Sequence, residues 1–369
     1  MLSERMSRLA LTCVTDPAHP QLGKAVAEFG PVDVWEQLPQ LNTTLARRAR
    51  AVRPEAVAVE CQRLGIRFVI PGDADWPPQL AVLEHSEMVN QFHGVPFGLF
   101  VRGVGELAEV SRQSVALVGA RAATRYGEQL AFELAQDLST SGFTVISGGA
   151  VGIDAAAHRG ALSGPSPTIA ALANGLNRCY PATNDPLFEH ILERGLLISE
   201  FPPGEHPTRS RFLGRNRLIA ALSLGTVVVE GSVRSGARNT ANWVAAQRGI
   251  CMATPGSVFS AMSYLPHQLV RSGEAVLVSN AAEVRELISR HPQLPPPPNP
   301  EHRPTDGLSG AELAIFEALP ARGSRTPDEL AARTGLTIPA CLAALSALET
   351  RSLVQSNPNS SFQLSRGTK

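Results

Sequence analysis

The chain has 369 residues, 43% of them apolar, with 33 basic and 33 acidic side chains and so no net charge. That length allows two or three domains with a large buried core. Zero net charge excludes a global pull on nucleic acid, so any such binding must come from a local patch. No apolar run is long enough for a transmembrane helix, and the N-terminal MLSERMSRLALTCVTD carries acids where a secretory signal needs an apolar core. The five scattered cysteines form no C-x-x-C and the histidines no ligand pair, so neither a disulfide, a metal nor another cofactor is expected; reduced thiols suit a cytoplasmic protein.

Residues 1–110 carry short helical patterns, Leu22–Phe29, Val32–Leu38 and Pro54–Leu64, broken by Gly30-Pro31. They read as an N-terminal helical domain of SAM or helix-hairpin type. Strand-like runs at Ile66–Ile70 and Pro96–Gly103 add a short lead-in hairpin.

Residues 111–288 change character. Ser114–Val118 fits a buried strand ending at Gly119, and Tyr126–Leu138 has helical spacing. Phe143–Ile146 is a second strand running into Ser147-Gly148-Gly149-Ala150-Val151-Gly152, which opens another helix. Further strands at Thr168–Ala173, Leu196–Ser199, Thr226–Glu230 and Ile250–Thr254 alternate with helical stretches such as Leu187–Arg194. The pattern predicts an α/β, doubly wound, Rossmann-like parallel sheet. Ligands of such sheets sit beyond the carboxyl ends of the strands. Two glycine-bearing loops lie there, each before a helix N-terminus, where bare amides and the helix dipole attract anions. Neither G-x-G-x-x-G nor G-x-x-x-x-G-K-[ST] occurs, which argues against a dinucleotide or P-loop site.

From His206 to Val229 there are four arginines, Arg209, Arg211, Arg215 and Arg217, around Phe212 and with no carboxylate. A solvated face normally mixes signs. With Arg121 in the first loop and Arg234-Ser235-Gly236 after the fifth strand, these arginines would share one rim of the sheet and contact phosphates. Phe212 is either a base-stacking platform or a core aromatic. Asp154 and His158, four apart, could be an acid/base pair, but fixing the shape of the loop is the better reading because no nucleophile accompanies them. Glu230, at a strand end, is either a second enzymatic candidate or a buried partner for a pocket arginine.

The proline-rich stretch 289–308 is a stiff, extended linker. Residues 309–369 read as three helices and a hairpin, a winged helix. Its last helix carries no positive charge before Arg351, which favours contact with protein over contact with DNA.

The blocks VALVGAR (115–121), SGGAVGIDAAAH (147–158), NGLNRCYPATN (174–184), LLISEFPPG (196–204), RNRLIAALS (215–223), RSGARNTA (234–241) and ATPG (253–256) together resemble the DprA/Smf family, bacterial DNA-processing proteins. The resemblance implies an extended Rossmann domain that binds single-stranded DNA without hydrolysing it, loads RecA during natural transformation, and forms homodimers. It assigns phosphate binding to Arg121, and the rest of the pocket to Ser147, Gly148, Gly152, Arg215, Asn216, Arg217, Arg234, Ser235 and Gly236. The alternative is a nucleotide phosphoribohydrolase on a related core, but its P-G-G-x-G-T loop is missing, since Pro255-Gly256 runs into Ser257-Val258.

Overall fold

A computed structural model describes residues 2–17, 19–289 and 307–365. The chain divides into two compact units, Met1–Leu294 and Pro295–Lys369. The 290–306 part of the expected proline-rich linker lies outside the described residues.

The first unit is built on a nine-stranded sheet: β1 (Arg67–Val69), β2 (Leu99–Gly103), β3 (Ser114–Val118), β4 (Thr144–Ser147), β5 (Thr168–Leu172), β6 (Leu196–Ser199), β7 (Gly225–Val228), β8 (Ile250–Ala253) and β9 (Val276–Leu277). Their order is β1-β2-β6-β5-β4-β3-β7-β8-β9. From β6 to β9 all pairings are parallel, and β1 and β2 add antiparallel to the β6 edge. The chain winds outward from β3 through β4, β5 and β6, then returns to β7 on the other side of β3. The switch point therefore lies between β3 and β7, where open α/β sheets leave a crevice for ligands.

Alternation along β3 shows why this sheet is buried on both faces. Ala116 and Val118 pack with Ile146, Leu218 and Trp243 on one side. Val115 and Leu117 pack with Leu134, Leu138 and Val284 on the other. Helices Arg209–Ala221 and Ala237–Ala246 cover the first face; Arg125–Thr140, Ile153–Ser163 and Ala281–Ile288 cover the second.

The boundary expected at 110/111 falls inside one unit. The reason is the lead-in hairpin, whose β2 continues the sheet through Phe100↔Ser199 to Gly103↔Leu196. The helical N-terminus, from Glu4–Val14 to Pro54–Arg63, keeps a small core of Leu11, Val14, Leu22, Val26 and Leu38. Leu9 and Cys61 of the same helices join the cluster around Phe100 and Phe188.

The second unit has helices Gly310–Ala318, Pro327–Thr334 and Ile338–Thr350 and the hairpin Val354–Ser356/Phe362–Leu364. Capping boxes start the first two helices, Ser309 with Glu312 and Thr326 with Glu329. Ile315, Leu330, Cys341, Leu345 and Leu348 fill its core. Among the described residues no single helix is long and apolar enough to cross a membrane.

Candidate nucleic-acid interface

A cleft of about 780 Å³ opens at the carboxyl end of the sheet, at the β3/β7 switch point. Its walls come from the loop after β3 (Gly119–Ala122), from Ala150 and Asp154, from Tyr180, from the start of helix Arg209–Ala221, and from Ser232–Thr240 after β7. All these segments follow parallel strands, so the topology alone brings them to one end.

The loop after β3 is shaped by Glu230. Its buried carboxylate accepts hydrogen bonds from the Thr124 amide (2.8 Å) and hydroxyl (2.6 Å). Glu230 thus holds the loop that carries Arg121, and is not the partner of an arginine that the sequence suggested. The loop after β4 is tied beneath. Ser147 donates its hydroxyl to the Leu117 carbonyl at 2.6 Å and is fully buried, so it joins strands and does not face the cleft. Gly152 has φ +78°, and a Cβ there would lie 2.4 Å from the Ala120 carbonyl oxygen, so the two loops meet only through glycine. At Gly148 a Cβ would fall 2.5 Å from the Arg215 guanidinium.

The arginines separate into two groups. Arg121, Arg209 and Arg234 line the cleft, are exposed, and make no ion pair or hydrogen bond among the described residues. Arg121 stacks over the half-buried Phe212 ring at 4.8 Å; Arg215 lies 5.9 Å from the same ring and Tyr180 packs 5.9 Å from it, centroid to centroid. Arg215 forms the floor: it is 5% exposed and donates to the carbonyls of Gly148 (2.9 Å) and Ala171. Burial pulls its guanidinium down to about 10, the Asp154 carboxylate opposing that and Arg121 adding to it. Asp154 is the one carboxylate among the lining residues, and it is committed to the amides of Gly148 (3.1 Å) and Ala150 (3.4 Å). Asn216, Ser235 and Gly236 also line the cleft.

Besides Ser147, two expected arginines are elsewhere. Arg217 is completely buried on the opposite side of its helix, forked onto Glu200 through Nη1–Oε2 and through Nη2–Oε1 (2.5 Å), with Nε donating to the Gly94 carbonyl at 3.1 Å. Two positions on, a helical residue points about 200° round the axis, so Arg215 and Arg217 cannot share a face. Arg211 stacks over Phe201 and pairs with Glu205 (2.6 Å) and Asp16 (3.0 Å), turned toward the N-terminal helices.

Asp154 and His158 do not form a pair. The Thr168 hydroxyl donates to the Val145 carbonyl (2.7 Å), so His158 Nδ1–H donates to the Thr168 oxygen (2.8 Å). Burial, then the charges of Arg215 and Arg159, push the His158 imidazole down to about 3. Unfolded, it titrates near 6.5. Below about pH 6.5 the unfolded chain therefore takes up a proton that the native chain refuses, and stability falls with pH by up to about 1.4 kcal/mol per unit. Burial raises Asp154 despite Arg215 and its amide bonds, which acts in the opposite sense: stability is lost as pH rises past the ordinary carboxylate value. Urea unfolding of wild type and His158→Gln should show the variant less acid-sensitive, by up to about 3 kcal/mol between about pH 4.5 and about pH 7. An identical pH dependence would rule this out.

The fold and the cleft can be set beside known proteins. The family described as DNA recombination-mediator protein A matches residues 67–289, more than half of the chain. The chain belongs to the DprA/Smf family. The DprA winged helix domain matches residues 296–359, in agreement with the three helices and hairpin of the second unit. A DprA relative from Mycobacterium tuberculosis is 39% identical over 357 residues, covering 94% of this chain and 90% of its own length. Protein Smf of Escherichia coli is 34% identical over 304 residues, 81% of this chain and 78% of its own. The structure of DprA from Streptococcus pneumoniae superposes with a TM-score of 0.66 at 26% identity, covering 79% of this chain and 99% of that one. A Helicobacter pylori DprA structure, described for its single-stranded DNA binding mode, gives a TM-score of 0.51 at 25% identity over 59% of this chain and 94% of that one. DprA membership makes this a DNA-processing protein of the recombination-mediator type, with the extended Rossmann-like sheet and winged helix expected from its motifs.

Proposed function

We propose that the cleft grips the phosphodiester backbone of single-stranded DNA without regard to sequence. The protein would protect incoming strands in the cytoplasm and load RecA onto them during natural transformation, as a homodimer and without catalysing a reaction. One observation carries the reading: Arg121, Arg209 and Arg234 surround a cleft at two glycine loops and have no anionic partner among the described residues. Unpaired guanidinium groups at a helix-rimmed crevice are a phosphate site. Phe212, with Arg121 4.8 Å and Arg215 5.9 Å from its ring centroid, offers an aromatic surface at which a base can stack, worth roughly 1–3 kcal/mol. The likeness to the Helicobacter pylori protein supports the single-strand preference, and the family description supports the role in recombination.

The test is binding of a labelled oligonucleotide, single-stranded and as duplex, at two salt concentrations. With about four phosphates engaged, log affinity should fall with log salt at a slope of about −3 for the single strand. Duplex bound as tightly, or binding indifferent to salt, rejects the proposal. RecA filament nucleation on the same strand should accelerate in the presence of the protein; no acceleration removes the RecA role alone.

A further inference from the structure

Asn239 lies in the third position of helix Ala237–Ala246, after Gly236 at its N-cap. Nothing in the spacing of its neighbours singles it out, yet it ends a hydrogen-bond chain whose direction is forced. Arg215 Nε donates to Asn216 Oδ1 at 3.3 Å, and Asn216 Nδ2 donates to Asn239 Oδ1 at 3.0 Å. A guanidinium can only donate. Asn216 must therefore turn its oxygen to Arg215 and its amino group to Asn239, which in turn must offer an oxygen back. Reversing either amide would set donor against donor. The free end of the chain is thus the Asn239 amino group, which has no partner among the described residues, on a residue only 7% exposed that lines the cleft.

A buried donor left unsatisfied is costly, and a ligand that accepts from it removes that cost. Its surroundings say what kind. Its helix has no acid in the first turn and no side-chain cap, so the positive end of the dipole is unanswered. A Cβ at Gly236 would meet nothing within 4 Å, so there is open space beside the N-cap of this helix. Ser235 uses its oxygen to accept from the Ala237 amide (3.2 Å), and its hydroxyl proton has no acceptor among the described residues. Arg234 is exposed beside it and unpaired among the described residues. Every group offered here is a donor.

The geometry points to Asn239 as a direct contact to a non-bridging phosphate oxygen of the bound strand, in a subsite at the start of helix Ala237–Ala246, with Arg215 and Asn216 setting the direction in which its amide faces. This rests on the cleft being the DNA site.

The experiment uses the full chain and a labelled oligothymidine, with Asn239→Leu and Asn239→Asp. The Leu variant removes the donor but no charge: it should bind about tenfold more weakly with an unchanged salt slope. The Asp variant keeps an oxygen for Asn216, and the helix dipole offsets part of the cost of burying its carboxylate. It should nevertheless bind the strand more weakly than the Leu variant. A merely structural asparagine would show the reverse, loss of thermal stability with affinity kept. Neutral methylphosphonate linkages should erase the difference between wild type and the Leu variant, and abasic linkages should preserve it. The opposite pair of results would assign the contact to a base carbonyl and overturn the phosphate subsite. Wild-type affinity in a folded Leu variant also overturns it. Should Arg121→Ala bind normally in the same series, the DNA reading of the cleft falls instead.

Discussion

Replacing Arg121, Arg209 and Arg234 together by alanine should abolish single-strand binding at moderate salt, a loss of at least about a thousandfold, while leaving the fold intact. Each guanidinium is exposed and makes no ion pair or hydrogen bond among the described residues, so in the free protein removal costs only the stacking of Arg121 over Phe212. Surface substitutions of this kind move stability by about 0.5 kcal/mol or less. In the complex each would lose a charge-assisted contact to phosphate, about 1.5–3 kcal/mol. The diagnostic reading is the salt slope. Three phosphate contacts removed at about −0.7 each should flatten it by about 2. The fluorescence anisotropy of labelled oligonucleotide titrated at several salt concentrations measures both quantities. A folded triple variant that binds with the wild-type slope would remove the arginines from the interface.

Arg217→Met should have the opposite profile: a severe loss of stability, about 3–5 kcal/mol, with no direct effect on the salt slope. Glu200 is 4% exposed and meets Arg217 in a two-bonded fork, so the variant leaves a buried carboxylate without its cation. Removing both charges, with Glu200→Leu added, should recover much of that loss, because desolvation of the pair offsets most of its attraction. The Gly94 carbonyl would still lose the Nε donor, so recovery would be partial. Urea unfolding of the two single variants and the double variant gives the coupling directly. A single variant as stable as wild type would mean that the ion pair is not closed in solution.

The contrast between these arginines marks where local reading stops. In the 206–229 window all four arginines look alike, since no acid lies among them. The carboxylates that pair with Arg211 and Arg217 come from outside it. Glu200 and Glu205 stand on the segment after β6, and Asp16 follows the first helix, nearly two hundred residues upstream. Helical phase would have placed Arg215 and Arg217 on different faces, but which face met solvent depended on the sheet behind. Asn239 was silent for a related reason: its orphan donor exists only because Asn216, on another helix, turns an amino group toward it.

The Rossmann-like sheet, the two glycine loops, the winged helix and the family were legible before any coordinates. The family rests on the resemblance of the motif blocks, and the rest on local rules: apolar runs for buried strands, glycine where two backbones approach, caps at helix starts. Those rules act between residues a few positions apart, so they survive in the linear order. Which guanidinium groups are free and which are spent, that β1 and β2 extend the sheet and merge the N-terminal helices with it, and that Glu230 braces Thr124, came from long-range packing. Charge pairing depends on distance through space, and the folded chain alone supplies it.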